Sequence, residues 1–276
     1  MPHALSLPQL CGQLLVVGFS GTSLPPALQA ALRAGRMGGV IVFKRNLPTL
    51  EVAHSLNCAA LGAAPADLPP FIAVDQEGGR VGRLPPPFLK LPAMKKLGAL
   101  GDEALLRRAG GVLGGELQRL GYNLDFAPVL DVDSNPDNPV IGDRAFSADP
   151  AEVARLAGAL LDGLQGAGVM ACGKHFPGHG DTHLDSHLEL PFVRHPEARL
   201  RAVELPPFRD AVKRGVATLM TAHVVYDGLD ADRPATLSPR ISTELLRGEL
   251  GFEGVLFSDD LEMRALADRM SVEESS

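Results

Sequence analysis

Four histidines, His175, His179, His183 and His187, fall at a spacing of four within the segment GKHFPGHGDTHLDSHLELP, residues 173–191. On a helix that spacing would stack four imidazoles on one face, an arrangement suited to zinc. Pro177, Gly178 and Gly180 stand in the first half of the segment and break such a helix. The segment therefore reads as a loop whose glycines let backbone approach a ligand closely. Inside it, Asp185 and His187 are two residues apart. In an extended or turning loop the carboxylate can hydrogen-bond the imidazole, fix its tautomer and raise its basicity, which makes a proton-transfer dyad. The same spacing suits equally well a surface Asp and His that never meet.

Further polar residues close the apolar runs of the chain. Asp75 ends PFIAVD, Asp131 lies near the end of NLDFAPVLDV, Lys174 and His175 near the end of VMACGKHF, and His223 in ATLMTAHVVY. Asp259 and Asp260 follow GVLFS. One such residue is most simply a turn residue or a helix cap. Five successive runs ending this way point to a shared site. A carboxylate after an apolar run, as in FSDD, stands where a nucleophile or a magnesium ligand belongs. VDQEGGRVGR gathers Asp75, Glu77, Arg80 and Arg83 around a Gly-Gly turn, either as a salt-bridged loop or as a polyol-binding one. DVDSNPDN opens like a calcium loop, but Pro136 takes the obligatory glycine position and Gly142 that of the bidentate glutamate, so a calcium site is rejected.

These residues need a frame, and the chain supplies a repeating one. Seven apolar, β-branched runs predict strands at Leu14 to Phe19, Gly38 to Phe43, Pro70 to Asp75, Asn123 to Val132, Val169 to Phe176, Ala217 to Tyr226 and Gly254 to Asp259. Helical patterns follow each. Asp149 and Pro150 read as the cap and first position of the helix after the fourth strand. The strands are continuous apolar runs rather than alternating ones, the signature of a parallel sheet covered on both faces. Seven strand–helix units in one series favour a TIM-type (β/α) barrel, whose strand ends meet on one face. No GxGxxG follows the first strand and no GxxxxGK[ST] occurs, which disfavours nucleotide-binding folds.

Composition narrows the classes. The 276 residues are 45% hydrophobic and 21% charged, enough for one substantial core, and are read as a single domain over 1–276. A formal charge of −7 argues against nucleic acid or an anionic membrane as a general partner. No run reaches the length of a membrane span, and the start MPHALSLPQL has no basic-then-apolar leader pattern. Three scattered cysteines, Cys11, Cys58 and Cys172, fit a reducing compartment, so a cytoplasmic protein is expected. Trp is absent and Tyr occurs twice, which disfavours a lectin built on aromatic stacking.

Taken in order, GGVIVFKRN, AVDQEGGRVGRL, LDFAPVLDV, IGDRAFS, GKHFPGHGDTHLDSH, MTAHVVY and GFEGVLFSDDLEM make the chain resemble glycoside hydrolase family 3, in its branch of bacterial β-N-acetylglucosaminidases. The resemblance covers nearly the whole chain, and KHFPGHG, D-S-H and FSDD together are highly specific. It implies a retaining mechanism with Asp259 as nucleophile and with His187, oriented by Asp185, as the general acid/base in place of a second carboxylate. An imidazole suits that role because its reference pKa of about 6.5 lies near working pH. Asp75, Arg83, Arg144, Lys174 and His175 match positions that hold the sugar in the −1 subsite, with His223 and Asp131 nearby. The implied substrate is a terminal β-linked N-acetylglucosamine on cell-wall muropeptides, in peptidoglycan recycling, handled by a monomer without metal or other cofactor.

Three other readings compete with this one. A family 3 β-glucosidase is disfavoured by the D-S-H dyad, and an inactive sugar-binding barrel by the filled catalytic positions. A metal-dependent barrel hydrolase is third. The family normally continues into an eighth strand and helix, whereas only SVEESS follows Met270. The expectation is a C-terminally short barrel in which the first and seventh strands lack their common neighbour, the wall is open, and the site is present but loosely supported.

Overall fold

The computed structural model describes residues 5–183, 189–271 and 274. The predicted dyad, Asp185 and His187, lies outside the described residues. Ten strands are present among those described: β1 (Val16–Val17), β2 (Gly39–Val42), β3 (Phe71–Val74), β4 (Leu124–Asp125), β5 (Met170–Phe176), β6 (Phe192–Val193), β7 (Thr218–Thr221), β8 (Val225–Tyr226), β9 (Asp230–Pro234) and β10 (Val255–Ser258). Seven of them form one parallel sheet in the order β1-β2-β3-β4-β5-β7-β10. The fold is thus α/β, and the seven predicted strands are its seven members.

Both faces of this sheet are covered, which is why its strands read as unbroken apolar runs. Val40, Val42, Ile72, Val74 and Leu219 are buried in the main core beneath the helices. Ala73, Leu124, Phe126, Cys172 and Met220 form a second cluster, joined by Ile41, Phe71, Met170 and Phe257. The Phe257 ring of β10 lies 5.4 Å from that of Phe71 on β3, edge to face. Those strands are four places apart, which in a flat sheet is about 19 Å. Only a strongly curled sheet brings the rings together, so the second cluster fills the inside of the curl.

The curl has two edges. Among the described residues, β1 pairs only with β2 and β10 only with β7. The edges carry exposed apolar side chains, Leu14 at 83% and Val255 at 42%.

Long helices buttress the middle of the sheet: α1 (Glu103–Arg119), capped by the Asp102 carboxylate on Leu105 N, and α2 (Pro150–Gly166). Asp149 caps α2 through Ala151 N, with Pro150 in its first turn as the sequence predicts. The run of glycines in α1 lowers helix propensity but allows close packing. A Cβ on Gly110 would stand 2.3 Å from Leu160 O, and one on Gly163 would stand 2.2 Å from Arg107 O.

Several predicted boundaries are corrected. The first strand is reduced to Val16–Val17. The fourth, expected over Asn123 to Val132, is regular only at Leu124–Asp125. Pro128 lacks the N–H a ladder requires, and beyond it the chain rejoins β5 through the Val129–Lys174 bridge. The sixth strand divides at Ala222–Val224, and its second half, β8, joins β6 and β9 in a separate three-stranded sheet that the sequence reading missed. The helical stretch after β6 is interrupted beside Pro206 and Pro207: one helix ends at Val203 and a second, Leu205–Lys213, opens with the two prolines in its first turn, where missing N–H groups cost nothing.

Candidate active site

The polar residues at the carboxyl ends of β3, β4, β5, β7 and β10 form three linked groups. The first grows from the chain just after β3. Asp75 and Glu77 are two apart, so extended backbone sends both side chains the same way. Lys174, near the end of β5, lies between them, with Nζ 2.8 Å from Asp75 Oδ1 and 2.7 Å from Glu77 Oε1. Arg144, in a single 3₁₀ turn at Gly142–Arg144, grips Glu77 with two bonds, Nε to Oε2 at 2.9 Å and Nη2 to Oε1 at 2.7 Å. Arg83 Nη2 lies 3.5 Å from Asp75 Oδ2. Glu77 and Lys174 are both buried.

Burial alone would raise the Glu77 carboxyl, but the Lys174 and Arg144 cations outweigh it and hold the group well below the usual carboxylate range. Burial likewise works against the Lys174 ammonium, and Asp75 and Glu77 more than restore it. The result is a fixed array of charges, each oriented by another. Asp125 stands beside this array. It accepts from Gln76 N at 2.9 Å. Its burial pushes its carboxyl up to about 7, and the negative Asp75 and Glu77 add to the rise.

The second group centres on Asp131. The sequence places it at the end of the fourth strand; in the structure it lies six residues beyond β4, in the loop that runs beside β5. Its Oδ1 accepts from His175 N at 3.1 Å and His179 N at 2.7 Å, and its Oδ2 faces His175 Nδ1 at 2.7 Å. Burial would raise the Asp131 carboxyl, but the His175 imidazole and these N–H groups hold it down. The bond to a carboxylate places a proton on His175 Nδ1 and turns Nε2 away from Asp131. Gly180 is needed where this loop passes the β4 segment, since a Cβ there would collide with Val132 O. Asn138 Nδ2 holds the loop by His179 O at 2.8 Å and Gly180 O at 3.0 Å.

Among the described residues, the histidines of this segment do not stack. His175 and His179 meet edge to face with ring centroids 5.7 Å apart, while His183 Nδ1 lies 3.2 Å from Asn135 Nδ2. Among the described residues no group of three His, Cys, Asp or Glu is arranged to hold a metal ion.

The third group follows β10. Asp259 N donates to Thr221 O at 3.3 Å, extending the ladder one step past Ser258. Asp259 Oδ1 accepts from Asp260 N at 2.8 Å. Desolvation raises the Asp259 carboxyl, and the His175 and His223 imidazoles, the Asp260 N–H and Lys174 together bring it below the ordinary value. His223, between β7 and β8, is buried beside it.

The structure thus brings Asp75, Arg83, Arg144, Lys174, His175 and Asp259 to one end of the sheet. Glu77 is the residue the sequence reading left undecided. Its spacing from Asp75 was the available signal, but the partner that settles its place, Arg144, is 67 residues away. Arg80, grouped with them by sequence, turns outward to Asp143 at 3.1 Å.

Comparison with known proteins extends this picture. A β-hexosaminidase of Nitrosospira multiformis is 42% identical over 259 residues, which cover 92% of this chain and 73% of that protein. A glycoside hydrolase family 3 β-N-acetylglucosaminidase from a Paenibacillus species superposes with a TM-score of 0.95 at 43% identity, over 99% of this chain and 52% of that one. NagZ from Neisseria gonorrhoeae superposes with a TM-score of 0.84 at 40% identity, over 91% of this chain and 74% of that one. The chain therefore spans about half to three quarters of these relatives. The model of the glycosyl hydrolase family 3 N-terminal domain matches residues 7–276, and the chain belongs to that family.

Proposed function

We propose that this chain is a β-N-acetylhexosaminidase that releases terminal β-linked N-acetylglucosamine with retention of configuration, through a glycosyl ester on Asp259. The observation that carries the reading is the placement of Asp259. It stands at the end of β10, its carboxyl held in the ionised form, across from the fixed array of Asp75, Lys174, Glu77 and Arg144. A nucleophile must be ionised and a sugar must be held, and the two roles fall to opposite parts of one strand-end face.

In this reading Asp75, Arg83, Arg144, Lys174 and His175 bind the sugar at the −1 subsite. The Asp75 carboxylate accepts from sugar hydroxyls, and the cations donate to them. Oδ1 of Asp259 is engaged by Asp260 N, which leaves Oδ2 as the attacking oxygen. His187, oriented by Asp185, protonates the leaving oxygen and then activates water. The seven-stranded sheet is read as the wall of a TIM-type barrel lacking one strand–helix unit. Muropeptide fragments of peptidoglycan recycling, acted on in the cytoplasm by a monomer without cofactor, complete the proposal.

The test is hydrolysis of a chromogenic β-N-acetylglucosaminide by the purified chain, with the matching β-glucoside as control. Expected are a strong preference for the N-acetyl substrate and a first-formed product with β configuration by proton NMR. His187→Ala is expected to slow substrates with poor leaving groups far more than activated phenyl glycosides. Preference for the glucoside, or an α first product, would overturn the reading.

A further inference from the structure

We propose that His223 is a positioning residue for Asp259: together with Thr236, it anchors the carbonyl of Asp260 and so fixes the turn that presents the nucleophile. The inference rests on the reading of Asp259 given above. His223 Nε2 lies 2.9 Å from Asp260 O. A carbonyl only accepts, so Nε2 carries the proton. His223 Nδ1 lies 2.7 Å from Thr236 Oγ1. With Nε2 protonated and the ring neutral, Nδ1 accepts from that hydroxyl, and Thr221 Oγ1, 3.0 Å from Thr236 Oγ1, completes the relay. Burial pushes the His223 imidazole toward its neutral form, against the pull of Asp259 and Asp260.

Residue 260 is thereby gripped at both ends. Its N–H binds Asp259 Oδ1 and its C=O binds His223. Among the described residues β10 pairs on one side only, and its ladder ends at the 3.3 Å bond from Asp259 N to Thr221 O. Thr236 comes from the 3₁₀ turn Ala235–Leu237 directly after β9. The small sheet β6-β8-β9 therefore supports the nucleophile from outside the large sheet.

Two measurements on the full chain test the proposal. The first is the imidazole tautomer, read by nitrogen-15 correlation NMR. Expected is an Nε2–H, neutral His223 at pH 7.5 that loses this single form in Thr236→Val. An Nδ1–H or doubly protonated ring in the wild type would overturn the proposal whatever the activity of the chain. The second is the single-turnover rate of labelling by a 5-fluoro N-acetylglucosaminyl fluoride. His223→Ala is expected to slow it on the order of 10²-fold with apparent affinity within about threefold, since small misplacements of a reacting group cost that much. Thr236→Val is expected to slow it about tenfold, the cost of one bond. His223→Gln, which returns a donor near the Nε2 position, and Thr236→Ser should recover most of each loss. Labelling of His223→Ala and Thr236→Val at the wild-type rate would overturn the proposal. No labelling of the wild type would overturn the role given to Asp259 instead, and the tautomer would still decide the anchor.

Discussion

The two sides of the strand-end face are built differently. The β3–β5 side lies in the middle of the sheet, and its charges are buried, paired and cross-linked: Glu77 to Lys174 and Arg144, Lys174 to Asp75. The β10 side lies at an edge, and its carboxylate is held by one backbone N–H and one anchored turn. The first side has nothing to change during a reaction, so it can be locked. In the function proposed above Asp259 must leave its contacts to form a bond, and it is held by groups that need not follow it.

That division predicts a separation of rate from stability. Asp259→Ala removes the group that forms the ester, so turnover should fall by at least about 10³-fold. The thermal midpoint should move little, because the side chain is half-buried at an edge and desolvation already counts against it. Labelling with the fluorinated sugar should cease. A large loss of stability, or an adduct on Asp260, would break the comparison.

Glu77→Gln should do the reverse. The amide keeps the shape but leaves Lys174 and Arg144 with one counter-charge fewer in a buried place. Removing one partner of a buried ion pair costs about 3–5 kcal/mol, and denaturant unfolding should register most of it. The Michaelis constant should rise as Lys174 and Arg144 lose their fixed positions, with a smaller fall in turnover. If stability is unchanged, the β3–β5 side is no more locked than the edge.

How far this arrangement could be read in the sequence depends on distance along the chain. Asp75, Lys174, His175 and Asp259 were legible because each closes or follows an apolar run, and parallel strands carry such residues to one face. The grip of Arg144 on Glu77 joins loops 67 residues apart and leaves no local pattern. The resemblance to family 3 marked Arg144 and left Glu77 undecided. The anchor of Asp260 by His223 and Thr236 was hidden because the small sheet is made of strands two to five residues long, too short for a period. Its second strand also continued an apolar run that read as one element. The mid-sheet helices were legible in detail, down to the Asp149 cap, because caps are local.

Asp125 sharpens the comparison through pH. Its carboxyl rises from the ordinary 3.8 to about 7 in the fold because it is buried, with Asp75 and Glu77 adding to the rise. Between those values the folded chain holds a proton that the unfolded chain has lost. Stability therefore falls as pH rises through that window and levels off above it. Asp125→Asn keeps an acceptor for Gln76 N and cannot ionise. The variant should match the wild type in stability near pH 4 and exceed it near pH 8, by on the order of a few kcal/mol. Urea unfolding at the two pH values checks this, and a gap that does not widen would mean that Asp125 stays ionised in the fold.

The smallest effect probes the sheet rather than the site. Val40, in β2, which is paired on both sides, is fully buried, whereas Val255, the first residue of β10, which among the described residues is paired on one side, is 42% exposed. Both are valines in parallel strands, so Val→Ala removes the same two methyl groups at each. A difference between them measures surroundings alone. At Val40 the change leaves a space that close-packed neighbours fill only in part, which should cost about 2 kcal/mol. At Val255 water already reaches the side chain, and the cost should stay near 0.5 kcal/mol. Equal losses at the two sites would mean that β10 is packed as tightly as a strand paired on both sides. The anchoring of Asp260 would then be one restraint among many, and His223→Ala should slow labelling far less than on the order of 10²-fold. A clear difference leaves the edge short of packing, and the bond from His223 to Asp260 becomes the restraint that matters there.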